Sequence, residues 1–303
     1  MRKLRPEIVH ILSSVSSFDY LYVKLIQTLG ALVVYTVHTP YDAKWSRWQH
    51  RVNRLLYRTV DLTVVHSASS FPRLAGYYRV ERAKIVEVPH PSHYPLAASR
   101  MLPQAAAKAS LGLPVGAQTI LSFGKITPRK RLDLAIAAHA RLCGERTDTY
   151  LIIAGEPQTD VAPFLDQMKR LNTSGRTILE FGRIPFDRMC VYFSAADVVA
   201  LPYEGAYQSG VMQWAYAFAR PVVVAGVGGL QESVAADRTG LIARKDDAGD
   251  LAQALRVLLG DARLAREMGS RALHVAQTKY GWAVVSEKLD SAYRGRLGRA
   301  PGV

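Results

Sequence analysis

Short apolar runs rich in β-branched residues alternate with longer stretches of helical periodicity along the chain. The runs that predict strands are 7–12, 31–38, 61–67, 83–90, 119–124, 149–155, 176–182, 197–202 and 220–226. Strands that alternate with helices pair in parallel through βαβ units. The pattern therefore predicts an α/β fold with parallel sheets, followed by a helical tail from about residue 250.

One segment without a strand pattern interrupts this alternation. Residues 101–116 contain Ala and Pro and end in a Gly-Leu-Pro-Val-Gly turn, which is typical of a linker. We therefore expect a first domain over 1–100, a second over 117–280, and a carboxy-terminal helix and tail over 281–303.

The composition narrows the class of protein. The 303 residues are 49% hydrophobic, which is globular, and the net charge of +14 favours anionic partners such as phosphorylated substrates or an acidic membrane face. No apolar run has the length of a membrane span, and the start lacks the apolar core of a signal peptide. Cys143 and Cys190 show no metal-binding or redox spacing, so we expect reduced thiols in a cytoplasmic protein. No nucleic-acid-reading motif is present, and we expect no nucleic acid as partner.

The loop after the strand 119–124 is the first candidate site. Gly124 ends the strand, and Lys125 and Lys130 follow just before an apolar-periodic helix. Cations beside a helix amino terminus suit a phosphate, because the helix end also attracts anions. The alternative is an ordinary solvated basic loop.

Two further loops carry ligand-binding residue types. Glu204 lies in an exposed loop, and Gln208, Ser209 and Gly210 open the next helix, where a Ser is either a simple cap or a ligand contact. In the third loop, the candidate residues are Gly228, Gly229 and Glu232. The glycines allow close approach of a ligand, and the carboxylate suits a ribose diol, unless it merely favours the helix dipole.

Histidines end three of the predicted strands in the first domain. His38 is a candidate general base at the end of 31–38, but His66 and His90 occupy similar positions, and a histidine bonded to local backbone remains the alternative.

The predicted helix over 44–58 is basic and aromatic. Its cations recur every three or four residues, beside a stripe of apolar residues that includes Trp45 and Trp48. This composition suits an anionic membrane surface, such as the inner face of the cell membrane. The alternative, favoured for the tryptophans, is that they are buried against the sheet.

Taken in order, these motifs resemble glycosyltransferase family 4. The resemblance rests on F-G-K-x-x-P-x-K, then F-G-x-I, Y-F-x-A-A-D-V-x-x-L-P, Q-S-G-V and V-G-G-L-x-E; it is strong over 119–282 and moderate over 5–92. It implies a GT-B fold, with two Rossmann-like domains facing across a cleft. It also implies retaining transfer of a hexosyl group from a UDP- or GDP-sugar to a lipid-linked or polysaccharide acceptor.

The resemblance also implies roles for individual residues. Lys125 and Lys130 would hold the donor pyrophosphate, Glu232 would lie by the ribose, and His38 would face the sugar. The remaining donor contacts implied are Gly124, Arg183, Glu204, Gln208, Ser209, Gly210, Gly228 and Gly229. No metal and no cofactor besides the nucleotide-sugar substrate is expected.

The chain departs from the family pattern in its paired glutamates. These would fall at Ala206 and Trp214, so the sequence is similar to a branch with a Gln-Ser-Gly loop. Either Glu204 substitutes for a glutamate or the loop backbone does its work. This departure leaves a catalytically impaired subunit as an alternative, beside a GT-B nucleotide-sugar epimerase.

The first domain is also abbreviated relative to the family, by about two βα units before the strand 7–12. That strand would then lie at an uncovered edge. We expect a terminal helix, a second copy of the chain or a partner chain to cover it.

Overall fold

A computed structural model of the chain describes residues 6–12 and 19–298, which form two compact units. The first unit combines the residues up to His90 with those from Trp282 onward, and the second spans Pro91–Gly281. This division differs from the predicted boundaries. Residues 104–110 form a helix anchored to the second unit, where Lys108 Nζ lies 2.6 Å from the Asp197 carboxylate, rather than an extended linker.

The first unit contains a four-stranded parallel sheet in the order β1-β2-β3-β4. Its strands are β1 (Ile8–Ile11), β2 (Leu32–Thr36), β3 (Leu62–Val65) and β4 (Ile85–Glu87), and its helices are α1 (Asp19–Thr28), α2 (Arg47–Thr59) and the carboxy-terminal helix (Trp282–Arg296). All four strands coincide with predicted runs. Within the described residues, β1 pairs only with β2 and lies at the edge of the sheet.

Alternation along the strands gives this sheet two apolar faces. Val33 and Tyr35 of β2 pack with side chains of α1 and α2. Val34, on the opposite face, belongs to a cluster with Val285 and Leu289 of the carboxy-terminal helix. Alternate residues on a strand face opposite sides of the sheet. The last helix of the described chain therefore covers the second apolar face and completes the core of the first unit.

The helix α2 begins with a capping box. Ser46 Oγ accepts from the Gln49 backbone N–H, and the Gln49 side chain accepts in return from the Ser46 backbone N–H. The buried residues of α2 are Asn53, Leu56 and Tyr57. Trp48 is 64% exposed, so the expectation that both tryptophans are buried is wrong for Trp48. Trp48 lies on the outward face of α2, five positions before the buried Asn53.

The second unit contains a six-stranded parallel sheet in the order β10-β9-β8-β5-β6-β7. The strands are β5 (Gln118–Phe123), β6 (Thr149–Gly155), β7 (Thr177–Phe181), β8 (Val198–Leu201), β9 (Val222–Ala225) and β10 (Gly240–Ala243). Five of them match predicted runs, and β10 was not predicted.

Helices cover both faces of this second sheet. They are α3 (Tyr94–Ala98), α4 (Gln104–Ser110), α5 (Leu132–Glu145), α6 (Ala162–Arg170), α7 (Phe186–Ala195), α8 (Gly210–Ala217), α9 (Gly228–Asp237), α10 (Ala248–Gly260) and α11 (Ala262–Gln277). One buried cluster includes Phe193 and Tyr216, and the other includes Ile136 and Leu255. No helix in the described part of the chain is long and apolar enough to cross a membrane.

Candidate donor site

The strand order of the second sheet reverses between β5 and β8. The chain proceeds from β5 to β6 and β7 on one side, and from β8 to β9 and β10 on the other. At such a switch point the loops after the two central strands diverge and leave a crevice outside the carboxyl ends of the strands, where open α/β sheets bind ligands. The loops that follow β5, β8 and β9 carry most of the predicted donor contacts.

Gly124 allows close packing at the end of β5. Its φ of +89° lies in the left-handed region, and a Cβ atom there would come within 2.7 Å of Lys130 Nζ. Gly155, at the end of the neighbouring strand β6, has a φ of +152°, and a Cβ there would overlap the carbonyl oxygen of Gly124. The positive φ therefore favours glycine at both strand ends, and at Gly155 the close backbone of Gly124 also excludes a side chain.

Lys130 folds back over the end of β5. Its ammonium group donates a 2.7 Å hydrogen bond to the Phe123 carbonyl oxygen and lies 5.6 Å from the centre of the Tyr203 ring. Burial, with a smaller contribution from the neighbouring Arg129 charge, lowers the pKa of Lys130 to about 8. The structure thus holds a cation at the switch point whose charge is poorly solvated.

The loop after β8 lies against the loop after β5. The Glu204 backbone N–H donates a 2.8 Å hydrogen bond to the Arg129 carbonyl oxygen. Farther along the loop, Ser209 caps α8, accepting from the Met212 backbone N–H at 3.3 Å. Gly210 is the first residue of α8, so its N–H is one of those that the helix itself leaves unpaired.

A second helix amino terminus lies beside the same loop. Gly228, the first residue of α9, has a φ of +54°, and a Cβ there would lie 2.5 Å from the Ala206 carbonyl oxygen. The Gly229 N–H donates a 3.0 Å hydrogen bond to that same oxygen. The second unit therefore brings Gly124, Lys130 and the loop with Glu204 to one edge of its sheet, beside the amino termini of α8 and α9.

The other predicted donor contacts are mostly exposed side chains. Lys125 and Glu232 are exposed, and Gln208 is half-buried in the loop before α8. Arg183 is exposed after β7, an edge strand that β6 separates from β5. Of the other cations after Gly124, Arg131 pairs with Asp133 at 2.9 Å and with Asp246.

The sequence predicted no role for three aromatic residues near this edge of the second sheet. Tyr203 is buried next to Lys130, and burial raises its pKa to about 12. The imidazole of His93 stacks on the indole of Trp214, with ring centres 4.3 Å apart and planes 19° from parallel. A Cβ at Gly210 would lie 3.9 Å from His93 Nε2. An aromatic stack therefore lies where the family pattern has a carboxylate, and only the departure at Trp214 could have pointed to it.

Three histidines lie at the carboxyl end of the first sheet. The His66 ring centre is 5.2 Å from that of His38 and 5.3 Å from that of His90. His66 Nδ1 lies 2.8 Å from the Val88 carbonyl oxygen, which only accepts, so Nδ1 carries the proton. Burial lowers the pKa of His66 to about 4, which keeps its ring neutral at pH 7. His38 itself is exposed. No group of three or more potential metal-binding side chains occurs among residues 6–12 and 19–298.

Two family models match the chain. The model described as Glycosyltransferase Family 4 matches residues 1–91, and the model described as Glycosyl transferases group 1 matches residues 117–261. Among curated proteins, D-inositol 3-phosphate glycosyltransferase from Nocardia farcinica is 32% identical over 244 residues, which are 78% of this chain. The match spans only 53% of that relative. The Corynebacterium aurimucosum protein of the same name is 28% identical over 91% of this chain and 66% of its own length.

Solved structures show the same fold. Sucrose-phosphate synthase from Thermosynechococcus elongatus superimposes with a TM-score of 0.81 at 23% identity, covering 96% of this chain and 74% of that one. Anabaena HepE in complex with UDP gives 0.82 at 18% identity, covering 94% and 78%. The chain thus matches a family 4 glycosyltransferase domain over residues 1–91 and a group 1 glycosyltransferase domain over residues 117–261, and it has the GT-B fold.

Proposed function

We propose that the chain transfers a hexosyl group from a UDP- or GDP-sugar to a lipid-linked or saccharide acceptor, with retention. The observation that carries the proposal is that Lys130 lies over the end of β5, where a Cβ at Gly124 would contact both Lys130 Nζ and Val211 in the first turn of α8, while the loop after β8 bonds the start of α9. A diphosphate is the ligand that this combination of a poorly solvated ammonium group and unpaired backbone N–H groups suits.

The proposed chemistry is electrostatic. Negative charge develops on the departing diphosphate as the bond to the sugar breaks, and Lys130, Lys125 and the helix amino termini stabilise it. Glu232 is proposed to accept hydrogen bonds from the ribose hydroxyls. The leaving phosphate itself is proposed to take the acceptor proton, as the family resemblance implies.

His38 is the group proposed to act on the transferred sugar from the first unit. Replacing it with Ala should lower transfer without weakening binding of UDP or GDP, because the diphosphate contacts belong to the second unit.

The departures at Ala206 and Trp214 favour one rival, a subunit that binds donor without turnover. The stack of His93 on Trp214 occupies a position where the family pattern has a carboxylate. Glu204, half-buried in the same loop, is the carboxylate proposed to substitute.

A screen of nucleotides and their sugars tests both ideas. Thermal unfolding with UDP, GDP and ADP, and with the corresponding sugars, should show stabilisation by one base, because ligands of the folded state raise its apparent stability. Donor hydrolysis and transfer are then followed by product analysis. Tight donor binding with no hydrolysis or transfer to any lipid-linked or saccharide acceptor would favour the rival, and no binding of any of the nucleotides would contradict both.

Two associations accompany this proposal. The protein is proposed to contact an anionic membrane surface through residues 44–58, which would bring it to a lipid-linked acceptor. A second copy or a partner chain is proposed to cover the edge strand β1.

A further inference from the structure

A basic cleft lies on the first unit, between the helix α2 and the segment that leads into β4. Its volume is about 580 Å³. The charged residues that line it are Arg51, Arg54, Arg58, Arg79, Lys84 and a single carboxylate, Glu81. Two of these five cations lie outside the helical stripe at 44–58, so the cleft is a product of the fold and is not visible in the helical periodicity.

The five cations are gathered without carboxylate partners. Within residues 6–12 and 19–298, none of them forms an ion pair. Elsewhere in the molecule, arginines pair readily, as Arg131 does with Asp133. Like charges in one cleft repel each other, and a bound anion with several oxygens would relieve that repulsion.

Local contacts orient two of these side chains. Arg54 Nη2 donates a 3.0 Å hydrogen bond to the Tyr77 carbonyl oxygen, and its guanidinium lies 5.6 Å from the centre of the Tyr77 ring. Lys84 Nζ approaches the Arg58 carbonyl oxygen at 3.5 Å. Ordering these long side chains before a ligand arrives reduces the entropy lost on binding.

Exposed apolar side chains share a face of α2 with two arginines of the cleft. Trp48 is 64% exposed and Leu55 is 48% exposed. Together with Arg51 and Arg58 they are spaced by three and four residues, so all four share one face of α2. Exposed Trp and Leu among arginines are the composition of a helix that lies in the interface of an anionic bilayer.

We propose that this cleft binds the phosphate headgroup of an anionic phospholipid, while Trp48 and Leu55 enter the bilayer surface beside it. The inference rests on the membrane association proposed above and adds to it a discrete phosphate site with Arg79 and Lys84 as members. A free phosphate ester would satisfy the same cations, but it would leave the exposed Trp48 and Leu55 without a role.

Vesicle sedimentation of the full chain tests the proposal. The wild type should bind phosphatidylglycerol vesicles and not phosphatidylcholine vesicles, and added salt should weaken the binding. The double variant R54Q/R58Q should bind about 25-fold more weakly, at about five-fold for each basic residue near an anionic surface. The matched control is R263Q/R266Q, which removes two exposed arginines of α11 in the second unit and should leave vesicle binding nearly unchanged.

Two single variants separate the parts of the cleft and guard against loss of folding. Glu81→Gln removes the only carboxylate of the cleft and should strengthen vesicle binding by up to about five-fold. Trp48→Gln should weaken vesicle binding and leave binding of soluble glycerol 3-phosphate unchanged.

These experiments distinguish failure of the headgroup site from failure of membrane association. Equal weakening by R54Q/R58Q and R263Q/R266Q would show that only the net charge matters, and would overturn the headgroup site while membrane association stands. Binding of glycerol 3-phosphate without binding of vesicles would show a soluble ligand and overturn the lipid source. Single-stranded RNA is a further competitor. If it binds through the same arginines more tightly than the vesicles do and displaces the protein from them, the lipid source is also overturned.

Discussion

The Lys130 ammonium group donates a 2.7 Å hydrogen bond to the carbonyl oxygen of Phe123, the last residue of β5. This contact fixes a cation at the point where the second sheet reverses its strand order. A diphosphate bound there would share Lys130 with Phe123, since an ammonium group has three hydrogens to donate.

Lys130→Ala should therefore weaken binding of UDP or GDP by about 10- to 150-fold, the equivalent of roughly 1.5–3 kcal/mol for a hydrogen bond to a charged group. Calorimetric titration measures the loss. Lys169→Ala, which removes an exposed lysine of α6, is the control and should change the affinity little. Unchanged binding by a folded Lys130→Ala protein would remove Lys130 from the site.

The lowered pKa of Lys130 predicts a pH dependence of nucleotide binding. The free protein loses this proton as the pH rises through about 8, so the affinity for UDP or GDP should fall above pH 8, by at most about tenfold per unit. Lys130→Arg should bind with little change between pH 7 and 9.5, because a guanidinium stays charged. The same steep fall in both proteins would assign the titration to another group.

Titration of Lys130 makes the folding stability depend on pH, and the direction of this dependence follows from its lowered pKa. Its pKa falls on folding from 10.5 to about 8, so the unfolded chain holds the proton more firmly. Its charge thus opposes folding below pH 8, and this penalty fades between pH 8 and 10.5.

Gly155→Ala should destabilise the second unit strongly. The new Cβ would overlap the Gly124 carbonyl oxygen, and the φ of +152° disfavours any side chain. We expect a loss of about 3 kcal/mol or more, which lowers the midpoint of thermal unfolding by roughly 6–12 °C for a unit of this size. Gly175→Ala, where a Cβ meets nothing within 4 Å, is the control. Equal midpoints for the two variants would show that β5 and β6 move apart at little cost.

The edge strand β1 predicts an association. It pairs only with β2 within the described residues, and α1 exposes Leu21 and Leu25. Light scattering should give the mass of two chains or of a chain with a partner, because an open strand edge and exposed apolar side chains both promote pairing. Leu21→Glu with Leu25→Glu should reduce the association. Donor hydrolysis and transfer, measured on the same samples, should suffer more than donor binding in the uncovered form. A stable monomer with normal turnover and no covering helix would contradict this account.

Periodicity predicted the strands that are strongly apolar, and the structure confirms them. It did not predict β10 (Gly240–Ala243), of which only Ala243 is buried and which lacks a long β-branched run. The Gly124 and Lys130 positions followed from the order of residue types along the chain. The partner of Lys130, the buried Tyr203 and the stack of His93 on Trp214 all depend on packing between distant segments, which local spacing does not specify.

Packing between distant segments also explains why the domain boundaries and the basic cleft could not be predicted from the sequence. The stripe on α2 is evident as helical spacing, but Arg79 and Lys84 reach the cleft only because the turn before β4 folds against that helix. Likewise, nothing in the sequence pattern near Trp282 indicates which of two sheets the carboxy-terminal helix will cover. Val285 and Leu289 would suit the apolar face of either.

That helix sets an order of events during synthesis. The four strands of the first unit leave the ribosome before Pro91, while the helix that covers Val34, Leu62 and Val64 begins only at Trp282. At about 5–20 residues per second, the intervening segment takes roughly 10–40 s to make. For that interval one face of the nascent sheet stays open to water, to chaperones and to other nascent chains, and the first unit completes its core only after the second unit has been made.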